Sequence, residues 1–285
     1  MAQATVIKQQ RTHVTGATHR GNKVVSSEGL SQEVVQQSLK GKIAFVTGGG
    51  TGIGEAAAMA LAAAGVQVAI TGRRKDRLDA VVASIKAAGG SALAIQSDVS
   101  DEADAFGAVE QTVAALGRLD IVINSAGVNE AGGIQSLDLA GWRKVIDINL
   151  WGTIYSCKAT VPHLKAAGGG DIINISSTAG RRAAGLFASY ATSKHGVNGF
   201  TESIRQELGG DNIRVSVVEP GATETEIASS VSDPKWAEMM QAHVSKEGAM
   251  KASDIAEAIL FILSLPRRAN VSQILIRPTI DTAPM

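Results

Sequence analysis

The chain has 285 residues, enough to bury a substantial core without metals or disulfides. Lys plus Arg and Asp plus Glu each number 27, so the formal net charge is zero, which argues against a general polyanion or nucleic-acid binder. The 45% hydrophobic and 19% charged fractions suit a globular enzyme. No run approaches the roughly 18 apolar residues that a membrane span needs. The single cysteine, Cys157, rules out an intrachain disulfide and fits a reducing, cytoplasmic compartment.

Residues 1–27 hold no Asp or Glu but carry Lys8, Arg11, Arg20 and Lys23. A weak helical pattern follows from Glu28 to Leu39. Residues 1–40 read as a flexible arm rather than a weak organelle-targeting sequence, and residues 41–285 as one domain. Strands are predicted over Lys42–Thr47, Val66–Thr71, Ala92–Ser97, Ile121–Asn124, Asp171–Ser176, Arg214–Val218 and Val271–Ile276. They are almost continuously apolar, as strands buried on both faces are. Helices are predicted over Gly54–Ala64, Lys75–Ala88, Asp101–Leu116, Asp138–Ala166, Ala188–Leu208 and Ser253–Leu265. Ser100 and Ser253 are candidate caps. Gly65, Gly89, Gly117, Gly168 and Gly209 are candidate stops. Pro162 should bend or break the fourth helix. The alternation implies an α/β fold: a doubly wound, Rossmann-type parallel sheet of about seven strands with helices on both faces.

Between the first strand and first helix lies Thr47-Gly48-Gly49-Gly50-Thr51-Gly52-Ile53-Gly54. Bare glycines let backbone approach a pyrophosphate, and the helix N-terminus offers it unpaired N–H groups. The candidate dinucleotide contacts here are Gly48, Thr51, Gly52, Ile53 and Gly54. The string lacks the Gly-Lys-Ser/Thr ending of an ATP phosphate loop. The second strand runs into Gly72-Arg73-Arg74, with no acid before Asp76. Arg73 and Arg74 suit a ribose 2′-phosphate, which predicts NADP(H) over NAD(H), with NAD(H) still possible. Asp98 and Val99 follow the third strand, and Asn124, Ala126 and Gly127 follow or end the fourth. These places at carboxyl strand ends suit an adenosine.

Tyr190 and Lys194, four residues apart, share one helix face. A neighbouring ammonium should lower the phenol's pKa toward operating pH. Ser177, thirteen residues before Tyr190, can donate to a substrate carbonyl oxygen. His195 points away from Tyr190 and Lys194 and reads as structural. The histidines show no metal-ligand spacing, so no metal is expected.

With these marks, together with Asn149 and Pro220-Gly221, the chain resembles a classical short-chain dehydrogenase/reductase from roughly Leu39 to Ile276. The resemblance implies Tyr190 as catalytic acid/base, Ser177 polarising the carbonyl, and Lys194 holding the nicotinamide ribose. Asn149 would fix a water in a proton relay. Pro220, Gly221 and Thr223 would meet the nicotinamide amide, and Thr225 a phosphate. It also implies a small-molecule substrate and a homodimer or homotetramer, with no nucleic-acid or membrane partner. Two features depart from the usual pattern: Asn-Ser-Ala-Gly at 124–127, and a C-terminus without an Asp-Gly-Gly string, which leaves the subunit contact open. Residues 222–250, with Trp236, Met239 and Met240, read as a substrate lid whose apolar side chains line a pocket or pack on the body. Arg181 and Arg182 near the entrance either bind an acidic substrate or face water. The expected activity is NADP(H)-dependent carbonyl reduction or secondary-alcohol oxidation. A cofactor-dependent epimerase or dehydratase and a non-catalytic cofactor sensor are the alternatives.

Overall fold

Apolar runs that need cover on both faces pair side by side, and short polar loops return the chain through helices. The computed structural model describes residues 38–246 and 248–282. Its strands are β1 (Ile43–Thr47), β2 (Gln67–Gly72), β3 (Ser91–Gln96), β4 (Ile121–Asn124), β5 (Gly170–Ile175) and β6 (Ile213–Pro220), then the two-residue β7 (Thr223–Glu224) and β8 (Met250–Lys251), and last β9 (Gln273–Ile276). Seven of them form one parallel sheet in the order β3-β2-β1-β4-β5-β6-β9. The chain reverses direction across the sheet between β1 and β4. The register sets Thr47 beside Asn124 and Asn124 beside Asn174, so these strand ends lie level. A crevice at this switch point is where such sheets bind ligands. β7 and β8 pair separately, above the carboxyl edge.

The helices are α1 (Gly52–Ala63), α2 (Lys75–Ala87), α3 (Glu102–Leu116), α4 (Leu139–Ile146), α5 (Gly152–Ala166), α6 (Ala188–Leu208), α7 (Pro234–Lys246) and α8 (Ala252–Ser264). Strand alternation sorts the core into two layers. Val46, Ile123 and Ile173 pack with Leu61, Leu78 and Ile259 of α1, α2 and α8. Phe45, Val122 and Ile172 pack with Val109, Cys157 and Leu164 of α3 and α5 on the other face. The result is a single Rossmann-type domain.

Three local expectations are corrected. The predicted helix over Asp138–Ala166 is interrupted at a π-helical turn, Asp147–Trp151, and not at Pro162, which α5 carries within it. Packing of Cys157, Ala159 and Leu164 on the sheet outweighs the proline's lost N–H. The N-caps are Asp101 and Lys251, one and two residues from the serines: Asp101 accepts from the Asp104 amide at 2.8 Å, and the Lys251 amide donates to Asp254 at 2.9 Å. Gly65, Gly89, Gly117 and Gly168 do take left-handed conformations, but Gly209 stays helical and Asn212 turns the chain instead, at φ 57°. Most of the predicted arm, with most of the weak helix over Glu28–Leu39, lies outside the described residues; Leu39 itself is fully buried.

The glycine turn tolerates little. A Cβ on Gly54 would stand 2.3 Å from the Gly48 carbonyl oxygen. Gly54→Ala is therefore expected to lower stability by ~3 kcal/mol in urea unfolding. Gly107→Ala, on α3 with nothing within 4 Å, should instead raise it by ~0.5–1 kcal/mol. Equal effects at both positions would show that the turn is not close-packed.

Candidate active site

The carboxyl ends of the strands open into one cavity of about 810 Å³. Gly48 sits at φ 67°, and a Cβ there would be 2.8 Å from the Ala126 backbone. The turn after β1 and the loop after β4 are thus in backbone contact. Thr47 Oγ1 locks them, accepting from the Ser125 and Ala126 amides at 3.1 and 3.2 Å. Thr225 closes the other side of the turn, with its Cγ2 placed 3.2 Å from where a Gly52 Cβ would be. Gly48, Thr51, Gly52 and Ile53 line the cavity at the turn. Arg73 and Arg74 line it after β2, and Asp98 and Val99 after β3. Ala126 and Gly127 do so after β4; Pro220, Gly221, Thr223 and Thr225 after β6.

Two expected contacts lie elsewhere. Gly54 is packed beneath the turn, not on the cavity wall. Asn124 is buried and donates to Asn174 Oδ1 at 2.8 Å and Cys157 Sγ at 3.3 Å, so it ties strands together and does not face the cavity. Cys157 is inert beside it, its thiol pushed up to about 12 by burial.

The basic corner has a counter-ion that the sequence did not announce. Arg74 donates to Glu226 at 3.0 Å and to Thr51 Oγ1 at 3.3 Å, and Arg77 stands 3.7 Å from the same carboxylate. Arg73 has no such partner among the described residues. Asp98 Oδ1 accepts from the Ser100 amide and hydroxyl at 3.0 and 2.6 Å.

At the centre, Ser176 and Ser177 directly follow β5. Ser176 turns inward and donates to the Lys194 carbonyl at 3.2 Å. Ser177 caps the following 3₁₀ turn and hydrogen-bonds the Tyr190 hydroxyl. Tyr190 and Lys194 rise one turn apart from α6, and both line the cavity with Ser177. Lys194 donates to the Ile175 carbonyl at 2.9 Å and lies 5.6 Å from the Tyr190 ring centroid. Asn149, in the π turn, does not reach the cavity wall. Its Oδ1 accepts from the Val128 amide at 2.8 Å; its Nδ2 donates to the Val128 carbonyl at 2.9 Å and Ser193 Oγ at 3.0 Å. A π turn at a functional site is a recurring device; here it aims Asn149 between the β4 loop and α6.

Met239 and Met240 line the cavity, and Trp236 does not. Arg181 faces neither substrate nor water alone: it grips the fully buried Glu219, which Asn198 also holds at 2.7 Å. His195 donates from Nδ1 to the Ala191 carbonyl at 2.8 Å, a structural role. Asn129, Glu226 and Ser230 line the cavity with no motif to mark them.

Residues 42–236 match the short chain dehydrogenase family. The chain belongs to that family. It is 34% identical to the cyclohexanol dehydrogenase of Acinetobacter sp. (strain SE19) over 82% of its length and 92% of that protein's. A metagenomic short-chain oxidoreductase in complex with NADP superposes with a TM-score of 0.73 at 33% identity, over 85% of this chain and 99% of the other. The alcohol dehydrogenase of the archaeon Thermococcus sibiricus, complexed with 5-hydroxy-NADP, superposes at 0.76 with 26% identity, over 86% and 99%. This short chain dehydrogenase is thus an oxidoreductase acting on CH–OH and C=O groups of small molecules with NAD(P). Among its described residues no helix is long and apolar enough to cross a membrane.

Burial dominates the protonation of the dehydrogenase's central pair. It raises the Tyr190 phenol above its usual value, and the Ser177 hydrogen bond only partly offsets this. Burial also pushes Lys194, 4% exposed, down to about 8. In the ligand-free protein burial, and not the lysine expected to lower the phenol, sets the direction of its shift. An unfolded lysine keeps its proton to about pH 10.4. Between about 8 and 10.4 the unfolded state binds more protons, so this residue's contribution to stability rises with pH across that window. Below it the burial cost is felt in full. Lys194→Met is expected to stabilise the ligand-free protein at pH 6.5 by ~2 kcal/mol, the burial cost less the lost bond to Ile175. The gain should vanish or reverse by pH 10.5. A loss of stability at both pH values, in denaturant titrations, would contradict this account.

Proposed function

We propose that the protein is an NADP(H)-dependent carbonyl reductase or secondary-alcohol dehydrogenase with Tyr190 as its acid/base. One observation carries the reading: Ser177, Tyr190 and Lys194 line the same cavity as the glycine turn. The dinucleotide fits the residues present, because Gly48 and Gly52 keep the turn bare where side chains would meet Ala126 and Thr225. When bound, the nicotinamide supplies or accepts the hydride. Tyr190 gives its hydroxyl proton to the substrate oxygen as negative charge develops there, and recovers it in the reverse direction. Ser177 donates a hydrogen bond to the same oxygen. The Lys194 ammonium favours the phenolate left behind and holds the ribose. Asn149 acts as a positioning residue through Val128 and Ser193, since both ends of its carboxamide are engaged. The reading includes a cytoplasmic homo-oligomer, dimer or tetramer; exposed apolar side chains such as Trp151 and Phe261 are compatible with subunit contacts.

NADP(H) is favoured by Arg73, whose guanidinium has no partner among the described residues, and by the lack of an acid at the end of β2. NADP-containing neighbours accord with it. Glu226 tempers the preference by occupying Arg74 and Arg77.

Tyr190→Phe is expected to abolish ketone-dependent NADPH oxidation, followed by absorbance, while NADPH binding by fluorescence changes little; near-normal turnover would rule out Tyr190 as the acid/base. In cofactor competition, Arg73→Asp should shift the preference toward NADH. Glu226→Gln should tighten NADPH binding about two- to fivefold without tightening NADH, the scale of an exposed ion pair. A wild-type preference for NADH would reject the assignment.

A further inference from the structure

Six described side chains carry a buried polar atom without a hydrogen-bond partner: Thr71, Asn124, Asn129, Ser156, Ser189 and Asn198. Of these, Asn129 alone lines the cavity. It is 4% exposed. Its Oδ1 has no partner, and its Nδ2 meets only the Met240 sulfur at 3.8 Å, a weak acceptor. A buried carboxamide left this way is costly unless a ligand satisfies it.

The unmet carboxamide is not the product of a slack backbone. The Asn129 amide donates to Ser230 Oγ at 2.8 Å, and Ser230 Oγ approaches the Asn129 carbonyl at 3.1 Å. On one side, Val128 is held by Asn149; on the other, Glu130 is held by Lys144 and Ser232. Apolar side chains of the same cavity include Val128, Phe187, Met239 and Met240, and Met240 touches Asn129. The ionic side chain next to it in the chain, Glu130, is committed to Lys144. A neutral polar group on an otherwise apolar body is what such a pocket accepts.

We propose that Asn129 is a substrate-recognition residue, and that the substrate is a ketone or secondary alcohol bearing a second, neutral hydrogen-bonding group such as a hydroxyl. This rests on the carbonyl-reductase reading above. A hydroxyl satisfies either end of the carboxamide, so the assignment does not depend on which end is oxygen. Sites built around such a bond reject analogues that lack it, because the protein's own group is then stranded.

The test compares kcat/KM for 3- and 4-hydroxycyclohexanone against cyclohexanone, with NADPH. The wild type is expected to favour at least one hydroxyketone about tenfold or more. Asn129→Leu should bring the ratio near one, chiefly by losing activity on the hydroxyketone, with NADPH binding unchanged. Asn129→Ala, which adds no bulk, should act in the same direction if leucine does not fit. A wild-type ratio near or below one, or a ratio that survives either substitution, overturns the proposal and leaves the reductase reading standing. No wild-type turnover of any of the three ketones overturns both.

Discussion

A lysine with 4% exposure holds the middle of this site together. Among the described residues its ammonium has one acceptor, the carbonyl of Ile175 at the last position of β5. That bond ties α6 to the sheet at the place where Ser176 and Ser177 leave it. Ser176 closes the loop by donating to the carbonyl of the same lysine. The phenol one turn earlier on α6 is thereby set against Ser177. Desolvation works against the charge throughout and leaves Lys194 with a pKa of about 8. A group held at such cost is more consistent with a binding site than with a plain core, which would use methionine or leucine there.

Much of the scaffold was legible because it follows from local rules. β4 and α6 have the bounds their sequences predict, since apolar runs and helical spacing coincide there with unambiguous ends. The turn from Thr47 to Gly54 was legible for a steric reason: only glycine fits where a Cβ would meet Ala126 or the Gly48 carbonyl. What could not be read depends on distant partners. Nothing near Asn149 announces a π turn, and the partners of its carboxamide, Val128 and Ser193, are twenty-one and forty-four residues away. Glu226 lies 152 residues from Arg74. Arg181 looked available beside the entrance until the fully buried Glu219, 38 residues on, was seen to need it. Asn129 carries no signal at all, because its character lies in what its side chain lacks.

The irregular features gather on one side of the molecule. The π turn, the buried lysine and the unmet carboxamide all stand at or beside the carboxyl edge of the sheet. The opposite edge has ordinary features, glycine stops and a buried Asp171 satisfied by Arg214 and Arg267. Local consistency is expected to fail where function imposes a different demand. The distribution of the failures therefore supports the same location for the chemistry as the cavity does, by an independent route.

Two carboxylates tie residues 222–250 to the body of the domain, and they are unequal. Glu130, 1% exposed, accepts from Lys144 at 2.7 Å and from the amide and hydroxyl of Ser232 at 2.8 and 2.7 Å. Burial pushes its pKa up, yet these donors outweigh burial and hold it below the ordinary value. Lys144 is 36% exposed, so solvent screens the pair and losing one partner costs less than the ~3–5 kcal/mol of a fully buried one. Glu226 reaches Arg74 and Arg77 across open solvent, with about half of each guanidinium exposed, and such pairs contribute ~0–1 kcal/mol. Residues 222–250 are thus held more firmly beside Asn129, through Glu130, than above the basic corner, through Glu226.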